Sequence, residues 1–370
     1  MFDIKKCIFI IDSPTTAFMV SLIAKGEAVN CIFERKEGIE TDRGYELFCN
    51  FAKRCLNIAS CKEITVPNRF IWEGNIFSRL LDIYHCIKKV RKKFKEDPTA
   101  TYVGPCTSSI MTCLTCSPAN IYYLYHGTID CYRYFKATSK KNNNKIKQIL
   151  KEFIFGCLLN VPNSIWNGFF SLQGFSLINM HVPDVIWLNY KNFNSEDIQN
   201  KLKILAETTK KNKWAMFCPI HDVHNKNGIS GDIGVYNQQN VEFLKKYISI
   251  DENVMIKCHP SIYQMNDVVA NNLSEVLKNE LNIDAKDIIS YIPEEIGGAV
   301  IPMEVLFRYC NFTKLICIET TTLWVLKNDN KITKVCDCTS LFGEKRELLV
   351  DIIQCLSQNG LIDENYVINV

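Results

Sequence analysis

Four short stretches hold residue types whose spacing suits them to chemistry. In Asn253-Val254-Met255-Ile256-Lys257-Cys258-His259-Pro260 an apolar run predicts a strand that stops at a histidine. Pro260 keeps the backbone before it extended and removes the donor that would continue pairing. An imidazole at the carboxyl end of a strand stands where ligands bind in open α/β sheets, and it titrates in a range useful for proton transfer. Further on, Ile301-Pro302-Met303-Glu304 predicts a helix start with a carboxylate in its first turn. Thr320-Thr321-Thr322 places hydroxyls and backbone donors at another helix start, just after the apolar strand 315–318. Taken singly, these are a strand-end turn, a first-turn acid favoured by the helix dipole, and a helix cap. Their order matters more. Threonines that hold a phosphate, a Glu304 carboxylate that accepts from a ribose diol, and a His259 imidazolium that neutralises or protonates a departing phosphate make one coherent nucleotide site. In the first half, Tyr125-His126-Gly127 closes another strand, with Asp130 shortly after it.

The elements that must position these residues alternate. Strand 7–11 runs into the cap-rich loop Asp12-Ser13-Pro14-Thr15-Thr16 and helix 17–25. Strand 28–34, helix 44–56, strand 63–66, helix 75–94, strand 101–103 ending at Gly104-Pro105, and strand 121–125 follow. After a polar stretch the pattern restarts with strand 214–219, helix 237–246, the strand before His259, the helix opening near Pro302, strand 315–318 with its helix, and helix 344–356. This predicts an α/β chain of GT-B-like architecture, two Rossmann-like domains facing across a cleft. The expected divisions are 1–190 for the amino-terminal domain, 191–213 for an inter-domain segment, 214–345 for the nucleotide-binding domain, and 346–370 for a carboxyl-terminal helix and tail.

Composition narrows the classes. The chain has 370 residues, 47% hydrophobic and 22% charged, enough for two domains of ordinary size. Its 43 Lys and Arg against 40 Asp and Glu leave a formal charge of +3, too balanced to argue for nucleic acid. Eighteen cysteines fall mostly within apolar strings such as those around Cys7, Cys31, Cys157, Cys317 and Cys355, which predicts reduced core thiols in a cytoplasmic protein. Cys113 and Cys116 lack a matching second pair, Cys336 and Cys338 are too close for a zinc knuckle, and His221 and His224 lack a third ligand, so no metal is expected. No leader pattern opens the sequence and no apolar run is long enough for a bilayer. Two basic segments, 85–95 and 140–147, read first as solvated surfaces, with attraction to anionic lipid at the inner face of the membrane as the alternative. His85 and His181 read as structural.

The ordered motifs resemble the bacterial GT-B sialyltransferase superfamily, which includes polysialyltransferases and lipooligosaccharide sialyltransferases. The residues that carry the resemblance are the first strand with Ser13-Pro14-Thr15-Thr16, Tyr125-His126-Gly127, Lys257-Cys258-His259-Pro260, the segment from Ile301 through Glu304 to Leu306, and Thr320 to Thr322. The resemblance implies an inverting transfer of sialic acid, or a related nonulosonic acid, from a CMP-activated sugar to a surface glycan acceptor of capsule or lipooligosaccharide type. It implies no cofactor and no metal, since the CMP phosphate is itself a good leaving group. It places Lys257, Pro260, Glu304, Thr320, Thr321 and Thr322 against the donor and His259 against the departing phosphate, with further cleft contacts from Ser13, Thr15, Gly104, Gly127 and His221. The family takes its base from an acidic pair before a glycine. Here Tyr125-His126-Gly127 stands instead, which makes His126, with an ordinary pKa of about 6.5, the first candidate base and Asp130 the second. A CMP-Kdo-dependent transferase, a nucleotide-sugar hydrolase or epimerase, and a catalytically silent glycan-binding relative are the competing readings.

Overall fold

The computed structural model describes residues 3–37, 42–67, 76–105, 108–115, 119–124, 168–172, 185–219, 233–249, 251–257, 275–276, 279, 288–289, 292–317, 320–339, 343–358, 360 and 362–369. The chain divides into two compact units, Met1–Ser195 and Glu196–Val370.

The first unit is built on a seven-stranded sheet of order β3-β2-β1-β4-β5-β6-β7. Its strands are β1 (Cys7–Ile11), β2 (Val29–Glu37), β3 (Ile58–Pro67), β4 (Thr101–Pro105), β5 (Asn120–Leu124), β6 (Gly168–Leu172) and β7 (Val185–Leu188), and each neighbouring pair is parallel. A parallel sheet is covered on both faces, so its central strands are apolar throughout: Phe9, Ile10 and Ile11 are fully buried. Helix α1 (Pro14–Ala24) is equally apolar, with eight of its eleven residues buried. Ser13 caps it by accepting from the Thr16 amide at 3.2 Å, Pro14 opens it, and Gly26 leaves it at φ 89°, a region that favours glycine. Helices α2 (Asp42–Cys55), α3 (Ile76–Lys93) and the short α4 (Ser109–Leu114) complete the described unit.

The second unit holds a six-stranded, wholly parallel sheet of order β10-β9-β8-β11-β12-β13. These are β8 (Lys213–Phe217), β9 (Glu252–Ile256), β10 (Ile288–Ile289), β11 (Lys314–Cys317), β12 (Thr333–Asp337) and β13 (Tyr366–Asn369). Around them lie α5 (Glu196–Lys201), α6 (Lys203–Lys211), α7 (Ile233–Tyr247), α8 (Met303–Tyr309), α9 (Thr321–Val325) and α10 (Gly343–Gln358). The core gathers Trp214, Met216, Val254, Met255, Leu315, Ile316, Leu323 and Trp324, all fully buried. Trp324 stacks on Tyr366, ring centroids 5.8 Å apart and planes 10° from parallel.

Two Rossmann-like units in one α/β chain are thus what the alternating pattern foretells. The boundaries differ from the expected ones. The polar stretch 191–213 divides at Ser195, whose hydroxyl donates to the Arg54 carbonyl at 2.9 Å within the first unit. Beyond it, α5 and α6 belong to the second unit, where Ile198 and Leu205 are buried. The terminal residues are no tail, since β13 pairs with β12 along four residues. No disulfide joins any of the described cysteines, and Cys7, Cys31 and Cys317 are buried. No described helix is long and apolar enough to cross a membrane.

Candidate functional site

In each sheet the strand order reverses once, between β1 and β4 in the first unit and between β8 and β11 in the second. The crevice outside the carboxyl ends of such strands is the usual ligand position of doubly wound folds.

In the second unit this edge collects four of the residues singled out from sequence: Lys257, Glu304, Thr320 and Thr322. Lys257 leaves β9 and stays on the ladder, its amide donating to Phe217 of β8 at 2.9 Å. Glu304 sits in the first turn of α8, after Pro302 at the cap and a tight passage through Gly297 at φ 107°. Thr320 caps α9, its hydroxyl accepting from the Thr322 amide at 3.4 Å. The Thr322 hydroxyl donates to Glu304 Oε1 at 2.9 Å, so the two helix starts are joined through their side chains. All three of Lys257, Glu304 and Thr322 are buried. Burial raises the Glu304 pKa above the ordinary carboxylate value, while its own amide, the Thr322 hydroxyl and the Lys257 charge oppose the rise. The result is an oriented carboxylate with a nearby ammonium at the edge where a ligand would enter. The Thr322 hydroxyl is engaged by that carboxylate, so its influence on a ligand passes through Glu304. Cys218, leaving β8, touches Met303 sulfur to sulfur at 3.2 Å and packs the reversal point against the start of α8.

The corresponding edge of the first unit carries a cluster that sequence reasoning missed. Asp12, at the end of β1, accepts from Thr16 Oγ1 at 2.8 Å and from Lys36 Nζ at 2.9 Å. Glu34 lies on β2 and caps α4, taking the Ser109 amide at 2.8 Å, the Ile110 amide at 3.1 Å and the Ser108 hydroxyl. Burial raises the Glu34 pKa; Lys36 opposes that rise, Asp12 adds to it, and the Ser108 and Ser109 donors oppose it. Both carboxylates are buried, and the cluster ties β1, β2 and α4 together. The available signal was the pairing of Ser108-Ser109 at a helix start with an acid on a strand. Ser13 is spent on its cap and on a 2.8 Å bond with Thr16 Oγ1, and Thr15 is half-buried. Gly104 is closely packed: a Cβ there would lie 2.8 Å from Met111 Cγ and 2.9 Å from Ile10 Cβ.

His126, Gly127, Asp130, His221, His259 and Pro260 lie outside the described residues, and so do His181 and His224; of Thr321 only the backbone is described. Among the described residues no group of three or more His, Cys, Asp and Glu side chains is placed to hold a metal ion.

No family model matches the chain, and no curated protein matches its sequence. Among solved structures, an alpha/beta-galactoside alpha-2,3-sialyltransferase from the luminous marine bacterium Photobacterium phosphoreum is similar over 98% of this chain and 97% of its own, at 11% identity and a TM-score of 0.47. The spinosyn forosaminyltransferase SpnP is similar over 98% of this chain and 85% of its own, at 10% identity and a TM-score of 0.46. The E. coli ADP-heptose LPS heptosyltransferase II is similar over 96% of this chain and 99% of its own, at 10% identity and a TM-score of 0.38.

Proposed function

We propose that the chain is an inverting glycosyltransferase that moves sialic acid, or a related nonulosonic acid, from a CMP-activated donor to a glycan acceptor, with the nucleotide held by the second unit. The observation that carries this reading is the Glu304 carboxylate, fixed by Thr322 beside the charge of Lys257 at the carboxyl edge of the second sheet. What supports the donor class is the motif order, in which Lys257 stands two residues before His259-Pro260. In this reading Glu304 accepts from the cytidine ribose and Lys257 favours the nearby phosphate. His259 neutralises or protonates the phosphate as it leaves, and Thr320 and Thr321 offer donors to it. His126, or Asp130 in its place, removes the proton of the acceptor hydroxyl, and attack from the opposite face inverts the anomeric centre.

The test compares thermal shifts with CMP, UDP and GDP, followed by CMP release from CMP-sialic acid with a panel of glycan acceptors. A shift selective for CMP and acceptor-dependent CMP release are expected. No preference among the three nucleotides would overturn the donor assignment. CMP binding without release under any acceptor would turn the reading toward a silent binding protein, and turnover with CMP-Kdo instead would shift it to that donor.

A further inference from the structure

The outward face of α3 takes no part in the site above, and its composition is unusual for a solvated surface. The inward face is clear: Cys86, Val90 and Phe94 recur at helical spacing and are buried, with Phe94 edge-on to Tyr102 at 5.8 Å. The opposite side carries Leu81, Tyr84, His85, Lys88 and Lys92, spaced three, four, seven and eleven residues from the first and therefore aligned on one stripe. Lys89 and Arg91 flank it, and all seven are exposed or nearly so. Leu81 is 55% exposed and Tyr84 59%, and among the described residues they share with Ile204 and Val367 the distinction of large apolar side chains in water. They are neighbours one turn apart, at the end of the stripe opposite to the cations. From residue 81 to 95 the sequence holds six Lys and Arg against one acid, Asp82. Lys93 points elsewhere, to Glu37 Oε1 at 3.0 Å and the Thr65 carbonyl at 2.7 Å.

We propose that this face of α3 docks on an anionic lipid bilayer. Leu81 and Tyr84 enter the boundary between headgroups and acyl chains, and Lys88, Lys89, Arg91 and Lys92 lie over the phosphates. The two halves of the stripe need both parts of a bilayer. A nucleic acid would satisfy the cations, and Tyr84 could stack on a base, yet Leu81 would gain little there. The inference stands apart from the donor reading, because α3 belongs to the first unit and none of its residues is given a role toward the donor.

The experiment is co-sedimentation of the full chain with phosphatidylcholine vesicles, with and without phosphatidylglycerol. Binding is expected only with phosphatidylglycerol and should weaken with salt. Each cation at an anionic surface strengthens partitioning about fivefold, so Lys88→Ser with Lys92→Ser should lower it about thirtyfold. Leu81→Ser with Tyr84→Ser should lower it as well and make the remainder more salt-sensitive. All four side chains are exposed, so melting profiles should match the parent; a variant with a shifted profile is replaced by Lys89→Ser with Arg91→Ser. Equal sedimentation with neutral vesicles, or binding untouched by both variant pairs, overturns the proposal. Tight binding to a single-stranded oligonucleotide with no vesicle binding overturns it in favour of a nucleic-acid surface.

Discussion

Thr322 donates its hydroxyl to Glu304 across 2.9 Å and thereby joins the first turns of two helices. A buried carboxylate that loses a donor keeps its desolvation cost. Thr322→Val should therefore destabilise the chain by about 1–3 kcal/mol, raise the Glu304 pKa further, and weaken CMP-induced stabilisation. Urea unfolding with and without CMP measures both effects. An unchanged midpoint would mean that the bond contributes nothing.

Glu304→Gln keeps the shape and removes the charge. It should weaken CMP binding at least about tenfold, because a hydrogen bond to a charged acceptor is replaced by one to a neutral amide. Deoxy-CMP serves as the control: if Glu304 meets the ribose diol, the parent should prefer CMP over deoxy-CMP, and the variant should lose most of that preference. Equal preference in the two proteins would remove the carboxylate from ribose recognition.

Asp337 should give the second unit an acid-sensitive component. Burial works to raise its pKa, yet donors from Lys246, Thr339 and Tyr247 outweigh burial and hold it at about 2, below the ordinary 3.8. A depressed carboxylate stabilises the fold above its ordinary pKa, and the contribution fades as pH falls from about 4 toward 2. Asp337→Asn should be less stable than the parent at pH 7, with the gap narrowing below pH 4. Guanidinium midpoints across that interval report it, and a gap constant down to pH 2.5 or so would contradict the assigned hydrogen bonds.

Gly104→Ala tests the packing of α4 on the first sheet. Its Cβ would collide with Met111, whose side chain can move, and with Ile10 Cβ, which cannot without shifting β1. A loss of about 1–3 kcal/mol is expected in urea unfolding, partly recovered when Met111→Ala is added and the double-mutant cycle is closed. Full additivity of the two changes would show that they do not share the space.

Much of this arrangement was legible in the residues. The exit of the first strand at Asp12 and the helix starts at Thr320 and at Pro302-Glu304 followed from apolar runs and capping residues, whereas the strand expected to run to His259 has its described end at Ile256, with Lys257 still on the ladder. What stayed hidden has physical causes. β12 reads as Thr-Lys-Val-Cys-Asp, and its Lys334 does not look like a residue of a covered strand. Yet Lys334 is fully buried, with Nζ donating to the Asp329 carbonyl at 2.8 Å and lying over the Tyr366 ring. β13 is a four-residue strand that gains its identity from pairing alone. Glu34 closes the expected strand 28–34, and its partners, Ser108 to Ile110, come more than seventy residues later, so sequence spacing does not tie this acid to that helix start.

The stacking of Trp324 on Tyr366 gives the molecule an optical handle. The indole is fully buried two residues beyond Thr322, on the short helix that begins at the candidate site. Its neighbour is anchored in turn, with the Tyr366 hydroxyl donating to the Leu323 carbonyl at 2.8 Å. Any movement of the Thr320 to Thr322 segment must tilt or slide one ring against the other. Emission from Trp324, isolated by replacing the other four tryptophans with phenylalanine, would follow events at that helix start in real time and without a label.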